Sequence, residues 1–206
     1  MRLELAERLR CPGTHAATPL VVVAQRTVER ELLDGVAGCP VCRLEARFAD
    51  GDLLLPGASD SVASTDALPG EEELLRLVAL LGLAEPGGAV LLVGNYARFA
   101  AALVAEIDVR AVVLGAAPRT SGVSAVRGAQ QVLPFSDATF RAAAIGASTP
   151  MPLLLDVVRG VAPGGRVVGA LPLERPASVR ELARDEREWV GEVERGASGI
   201  VPLRRA

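Results

Sequence analysis

The chain contains no lysine, so all 22 of its basic side chains are arginine. Schiff-base catalysis by lysine and phosphate binding by a P-loop lysine are therefore excluded. Aromatic residues make up only 3% of the sequence, with one Trp and one Tyr. The apolar mass is Ala, Val and Leu, a mixture that suits buried parallel strands and the helices covering them. Cysteine occurs three times and histidine once. Three cysteines cannot pair off completely, which argues against a disulfide-built secreted scaffold. No run approaches the ~18 uninterrupted apolar residues of a membrane span. The start, Met1-Arg2-Leu3-Glu4, carries charges where a signal peptide needs an apolar run. Net charge is −3 with the signs interspersed, so neither a basic field for nucleic acid nor an acidic tail is present. These absences predict a soluble, cytoplasmic protein with no membrane partner and no strong nucleic-acid signal. The 206 residues suffice for one ordinary domain and a small appendage.

What is present is unevenly placed. Cys11, His15, Cys39 and Cys42 are all the cysteines and the one histidine, and they fall within the first 42 residues. They read C-x3-H, a gap, then C-x2-C. Zinc takes four such ligands tetrahedrally, and three cysteines with one histidine form a standard structural set. Cys11-Pro12-Gly13 and Cys39-Pro40-Val41-Cys42 read as tight turns, the form of a metal knuckle. A closed four-ligand site leaves no position for substrate, so the expected zinc is structural. The bland alternative is three incidental buried cysteines beside an exposed histidine. A Cys/His catalytic pair is a second rival, but it leaves the C-x2-C spacing unexplained. Between the knuckles, Leu20–Ala24 and Thr27–Leu33 read as strands. After them Arg43–Phe48, an Asp50-Gly51 turn and Leu53–Leu55 read as a hairpin.

Residues 1–55 resemble the zinc ribbons of small proteins that partner tRNA, ribosomal and translation-factor methyltransferases. The resemblance rests on the two knuckles and on Phe48-Ala49-Asp50-Gly51-Asp52-Leu53-Leu54-Leu55-Pro56, the counterpart of that family's hairpin. This chain departs from the pattern at His15, which stands where a cysteine is usual, with one extra residue in that knuckle.

Residues 56–70 are rich in small, polar and turn residues and read as a linker. Glu71–Leu83 has helical periodicity with acids in its first turn. From Pro86-Gly87-Gly88 onward, apolar runs alternate with helical stretches. Ala89–Val93, Arg110–Leu114, Val123–Arg127, Arg141–Ala147 and Arg166–Leu171 read as strands. Tyr96–Ile107, Pro152–Val161 and Val179–Glu188 read as helices. Trp189–Val193 and Ile200–Leu203 read as a closing hairpin. The alternation predicts an α/β fold: a Rossmann-like, mostly parallel sheet with helices on both faces, a C-terminal hairpin and a small β zinc ribbon in front. The stretch from Gly115 to Val123 is short for a parallel crossover, so a crossover helix is expected to be missing there.

Residues 86 to about 175 resemble the class I S-adenosylmethionine-dependent methyltransferases. Three segments carry the likeness: Ala89-Val90-Leu91-Leu92-Val93-Gly94, Val132-Leu133-Pro134-Phe135-Ser136-Asp137-Ala138-Thr139-Phe140, and Val157-Val158-Arg159-Gly160-Val161-Ala162-Pro163-Gly164-Gly165-Arg166. The resemblance implies a cofactor cleft at Gly94, Tyr96, Gly115, Ala129 and Leu133. At these positions the family's requirements are largely unmet. Of the glycines after the first strand only Gly94 remains, and Tyr96 and Arg98 put side chains where bare backbone is wanted. The acid that would bond the ribose falls at Gly115, the adenine-side acid at Ala129, and the aspartate after Phe140 is Arg141. If zinc takes every cysteine and the histidine, neither residue type is left for catalysis. The expectation is a methyltransferase-like pseudoenzyme with structural zinc and no S-adenosylmethionine. It would serve as a binding or assembly module through a protein partner or self-association. The alternative is an active methyltransferase with a diverged cofactor loop.

Overall fold

The computed structural model describes residues 1–58, 68–117, 120–128 and 131–194. Eleven strands form one sheet: β1 (Val21–Val28), β2 (Glu31–Gly38), β3 (Glu45–Ala49), β4 (Asp52–Leu54), β5 (Ala89–Val93), β6 (Arg110–Leu114), β7 (Val123–Arg127), β8 (Phe140–Ile145), β9 (Val161–Ala170), β10 (Val179–Arg184) and β11 (Glu188–Val193). Their spatial order is β1-β2-β3-β4-β7-β6-β5-β8-β9-β11-β10. The contiguous set from β4 to β9 is joined by parallel pairings, while both flanks are antiparallel. The six central strands, β4-β7-β6-β5-β8-β9, form a parallel sheet with helical connections, an α/β arrangement.

Among the described residues four α-helices accompany it: α1 (Leu3–Ala6), α2 (Glu71–Leu81), α3 (Ala100–Glu106) and α4 (Met151–Gly160). Glu71, Glu72 and Glu73 favour the start of α2, and Gly82 ends it in the left-handed conformation that glycine adopts without penalty. Strand β5 is buried along its whole length, which is why its sequence is an unbroken apolar run. Its side chains alternate between two cores. Val90 and Leu92 cluster with Leu74, Leu77, Phe99 and Leu103. Leu91 and Val93 cluster with Leu154, Val157 and Phe135. The second cluster also takes in Leu9, Leu32, Phe48 and Leu53 from the N-terminal stretch.

That stretch continues the sheet. Leu53 and Leu54 of β4 pair in parallel with Val126 and Arg127 of β7. Asp52 clasps the junction: its Oδ1 accepts the Ala125 N–H at 2.9 Å, and its Oδ2 lies 3.0 Å from Arg127 Nη2. No helix among the described residues is long and apolar enough to cross a membrane.

Several elements differ from expectation. The strand predicted over Thr27–Leu33 is interrupted by a turn at Glu29-Arg30, where both residues take positive φ (48° and 66°). No glycine or asparagine marks that turn, so its chemistry was hidden. The helix predicted over Val179–Glu188 is instead β10, a turn and the start of β11. The VRELARDERE composition favours a helix locally, but pairing of β11 with β9 overrides it. Trp189 is fully buried against Gly169, where any Cβ would collide with the indole ring. The C-terminal hairpin is therefore β10–β11 rather than Trp189–Val193 with Ile200–Leu203, and the latter segment lies outside the described residues. Tyr96 begins no α-helix. A 3-10 turn runs over Gly94–Phe99 before α3. The Pro163-Gly164-Gly165 turn is absorbed into β9 as a shift of register between Phe140↔Val161 and Ala142↔Arg166. Between β6 and β7, the described residues of 115–122 form no helix.

Candidate metal centre and strand-end crevice

The first knuckle is positioned by a strand-like contact with the 132–140 segment. Arg10 N–H donates to Pro134 O at 3.2 Å, Ser136 N–H donates to Arg8 O at 2.8 Å, and Leu9 bridges to Phe135. Cys11 N–H then donates to Thr18 O at 2.8 Å, closing the loop that carries His15. The second knuckle hangs from the end of β2. Cys39 N–H donates to Leu44 O at 2.8 Å, and Arg43 N–H to Cys39 O at 3.0 Å.

These turns bring Cys11, His15, Cys39 and Cys42 together, with all four ligand atoms within 4.8 Å of one another. Cys11 Sγ is 3.5 Å from Cys42 Sγ, and Cys39 Sγ is 3.3 Å from His15 Nε2. A tetrahedron of zinc–ligand bonds of ~2.0–2.3 Å has edges of about 3.3–3.8 Å, which these two separations match, so the four donors could hold that ion. His15 Nδ1 lies 2.8 Å from Ala16 O. A proton there leaves Nε2 as the lone-pair donor facing the thiols, the usual outer support of a ligating histidine. Gly13 N–H points at Cys11 Sγ and Val41 N–H at Cys39 Sγ, at 3.3 and 3.4 Å. Burial pushes the Cys11 thiol up to about 11. Burial also acts upward on Cys39, but the N–H groups of Cys42 and Val41 outweigh it and bring that thiol down to about 6.

The strand-end crevice is the second location. The sheet reverses its order between β5 and β8, and ligands of doubly wound folds bind outside the carboxyl ends of strands at such a point. Here Gly94 takes φ +67° and Gly146 N–H donates to Val93 O at 3.0 Å. Asn95 Oδ1 lies 2.6 Å from where a Cβ on Gly146 would stand, so the asparagine side chain crowds the backbone just after β8. Tyr96 turns away from the crevice. It is buried in the α2-side core, and its hydroxyl donates to Glu188 Oε2 at 2.6 Å. Burial first, then that carboxylate, raises the phenol well above its ordinary value. Arg98 also turns to α2, pairing with Glu73 at 2.9 Å. Gly115 takes φ +117°, and among the described residues nothing lies within 4 Å of where its Cβ would stand. Leu133 is fully buried and packs against Gly160 in the core, away from the strand ends. Ala129 lies outside the described residues.

No family model matches this chain, and no curated protein matches it. Solved structures do. A sarcosine dimethylglycine methyltransferase assignment from Galdieria sulphuraria aligns at 17% identity and TM-score 0.41, over 48% of this chain and 45% of that one. This chain therefore spans less than half of that protein's length. A complex of the Haloferax volcanii Trm112 methyltransferase activator with a proposed methyltransferase aligns at 15% identity and TM-score 0.47, over 60% and 90% of the chains. The antibiotic-resistance methyltransferase Kmr aligns at 14% and 0.44, over 66% and 98%.

Other side chains of consequence were not singled out as site residues. Arg159 Nη2 donates to Phe135 O at 2.8 Å, and its Nε to Asp156 Oδ1 at 2.6 Å. Arg10 reaches the same Asp156 oxygen at 2.9 Å. In the sequence Arg159 stands out only as a member of the Val157–Arg166 segment. Its i,i+3 spacing from Asp156 was the available signal, but the reach to Phe135 and Arg10 is long-range. Glu188 is buried between Tyr96 and Arg76, whose Nε donates to it at 2.9 Å, and no local pattern announces that.

Proposed function

We propose that this is a methyltransferase-like protein that no longer binds S-adenosylmethionine, carries a structural zinc ion and serves as a binding or assembly module. Cys11, His15, Cys39 and Cys42 would hold the zinc. Bound there, it would cross-link the two knuckles, a contribution that small β modules with little core of their own need. The observation that carries the loss of cofactor binding is Asn95 against the backbone just after β8, where its Oδ1 sits 2.6 Å from the Cβ position of Gly146. The absence of a carboxylate at Gly115 points the same way, since each unmet buried hydroxyl costs about 1–3 kcal/mol.

A second reading has its own support. Tyr96 turns toward Glu188 rather than across the crevice, and none of the described residues comes within 4 Å of a Cβ placed on Gly115. Both features favour an active methyltransferase with a diverged loop. Calorimetric titration with S-adenosylmethionine and S-adenosylhomocysteine separates the two. The proposal expects no binding up to millimolar ligand. A dissociation constant in the low micromolar range overturns it and restores the enzyme.

A further inference from the structure

We propose that Cys42 is an oxidation site: hydrogen peroxide attacks there first, Cys42 becomes joined to Cys11, and the zinc that the four ligands would hold is released. The inference rests on the zinc reading above and goes on to ask which of the three sulfurs reacts first.

Burial separates the three cysteines. Cys11 and Cys39 are 5% and 4% exposed, whereas Cys42 stands in the exposed turn of the second knuckle. Hydrogen bonding separates them in the same direction. Gly13 N–H points at Cys11 Sγ at 3.3 Å, and the N–H groups of Val41 and Cys42 point at Cys39 Sγ. Donors of this kind draw charge from a thiolate and engage its lone pairs, so the sulfur becomes a weaker nucleophile. Among the described residues no backbone N–H donates to Cys42 Sγ. Bound zinc keeps all its sulfur ligands ionised. Access and unengaged lone pairs then decide which one an oxidant meets, because oxidation follows thiolate character and exposure. Both point to Cys42.

The partner for the second step is already beside it. Cys11 Sγ, on the other knuckle, is 3.5 Å from Cys42 Sγ. A disulfide needs about 2.05 Å, so the two sulfurs close by roughly 1.5 Å. In the first step the Cys42 thiolate attacks one peroxide oxygen. An S–O bond forms, the O–O bond breaks, and hydroxide leaves, giving a sulfenic acid. The Cys11 thiolate then attacks the Cys42 sulfur. An S–S bond forms, the S–O bond breaks, and a second hydroxide leaves. The two thiolates lose two electrons in all, and peroxide takes both. Cys39 and His15 alone remain as ligands, short of the four that a closed zinc site requires. The disulfide closes the chain between residues 11 and 42, so the knuckles exchange a metal cross-link for a covalent one. A dithiol reductant with zinc reverses the exchange.

The full zinc-loaded chain serves for the test. Limiting N-ethylmaleimide followed by peptide mapping should label Cys42 about tenfold or more faster than Cys11 or Cys39. Hydrogen peroxide added with a chromogenic zinc chelator present should release the metal as thiols are lost, and non-reducing peptide maps should show Cys11 joined to Cys42. Dithiothreitol and zinc should restore the thiols and the metal. Cys42→His keeps a ligand nitrogen but no oxidisable sulfur, and should retain zinc about tenfold longer in peroxide. If that variant does not load zinc, the wild-type labelling and disulfide map decide the matter. Even labelling of the three thiols, a Cys39–Cys42 disulfide, or zinc held after the thiols are lost overturns the inference and leaves the zinc reading standing. Protein that carries no zinc before peroxide is added removes both. The cofactor titration is independent of all these outcomes.

Discussion

Replacing Asp52 with Ala probes the β4–β7 pairing, through which residues 1–55 share hydrogen-bonded backbone with the parallel strands. The β4–β7 ladder is two residue pairs long, so its side-chain clasp matters. Asp52 and Arg127 side chains are each 15% exposed. Truncation leaves the Ala125 N–H without its acceptor, at about 1–3 kcal/mol. It also removes one partner of a mostly buried guanidinium, a loss below the about 3–5 kcal/mol of a fully broken buried pair. Partial exposure reduces the second figure, so the expected destabilisation is about 2–4 kcal/mol. For a chain of this size that lowers the melting temperature by about 4–16 °C. Asp52→Asn keeps an acceptor for Ala125 and should lose about half as much. Thermal and urea unfolding with zinc saturating would measure both variants. A cycle with Arg127→Met should return a coupling of about 1–3 kcal/mol. If Asp52→Ala stays within about 0.5 kcal/mol of wild type, the clasp has no energetic role and the reasoning fails.

Protein purified without added metal should carry one zinc per chain by elemental analysis, and Cys39→Ser should reduce it; less than about 0.2 zinc per chain, unchanged by the substitution, refutes the site. Chelation should loosen residues 1–55 ahead of β5, β6 and β8, and unchanged amide protection at the knuckles after metal removal would contradict this. The N–H groups of Arg187 and Glu188, then Arg76, hold the Asp185 carboxyl down to about 2. Its folded value lies below the unfolded ~3.9, so its contribution is complete above about pH 4 and is lost as pH falls toward 2. Stability measured over that interval should fall less steeply for Asp185→Asn, and identical slopes would rule the group out.

The sequence by itself determined the features written in neighbouring residues. The C-x3-H and C-x2-C spacings mark the knuckles because each turn is closed by its own backbone, and the structure brings their four side chains together. Ala89–Val93 was legible as a strand because burial on both faces demands an unbroken apolar run, and Arg110–Leu114 was legible by its four apolar residues in a row. The acids and the periodicity of Glu71–Leu81 likewise mark α2. Tertiary structure alone decided the rest. Residues 179–184 are a strand because the hairpin they form with β11 is anchored to β9 through Trp189 and Gly169, against their helical composition. The join of β4 to β7 depends on Asp52 meeting Ala125 and Arg127, more than 70 positions away. Whether Tyr96 would cross the crevice or leave it was settled by Glu188, 92 positions distant. Such choices turn on which partner is reached when the chain closes, and no local propensity encodes that partner.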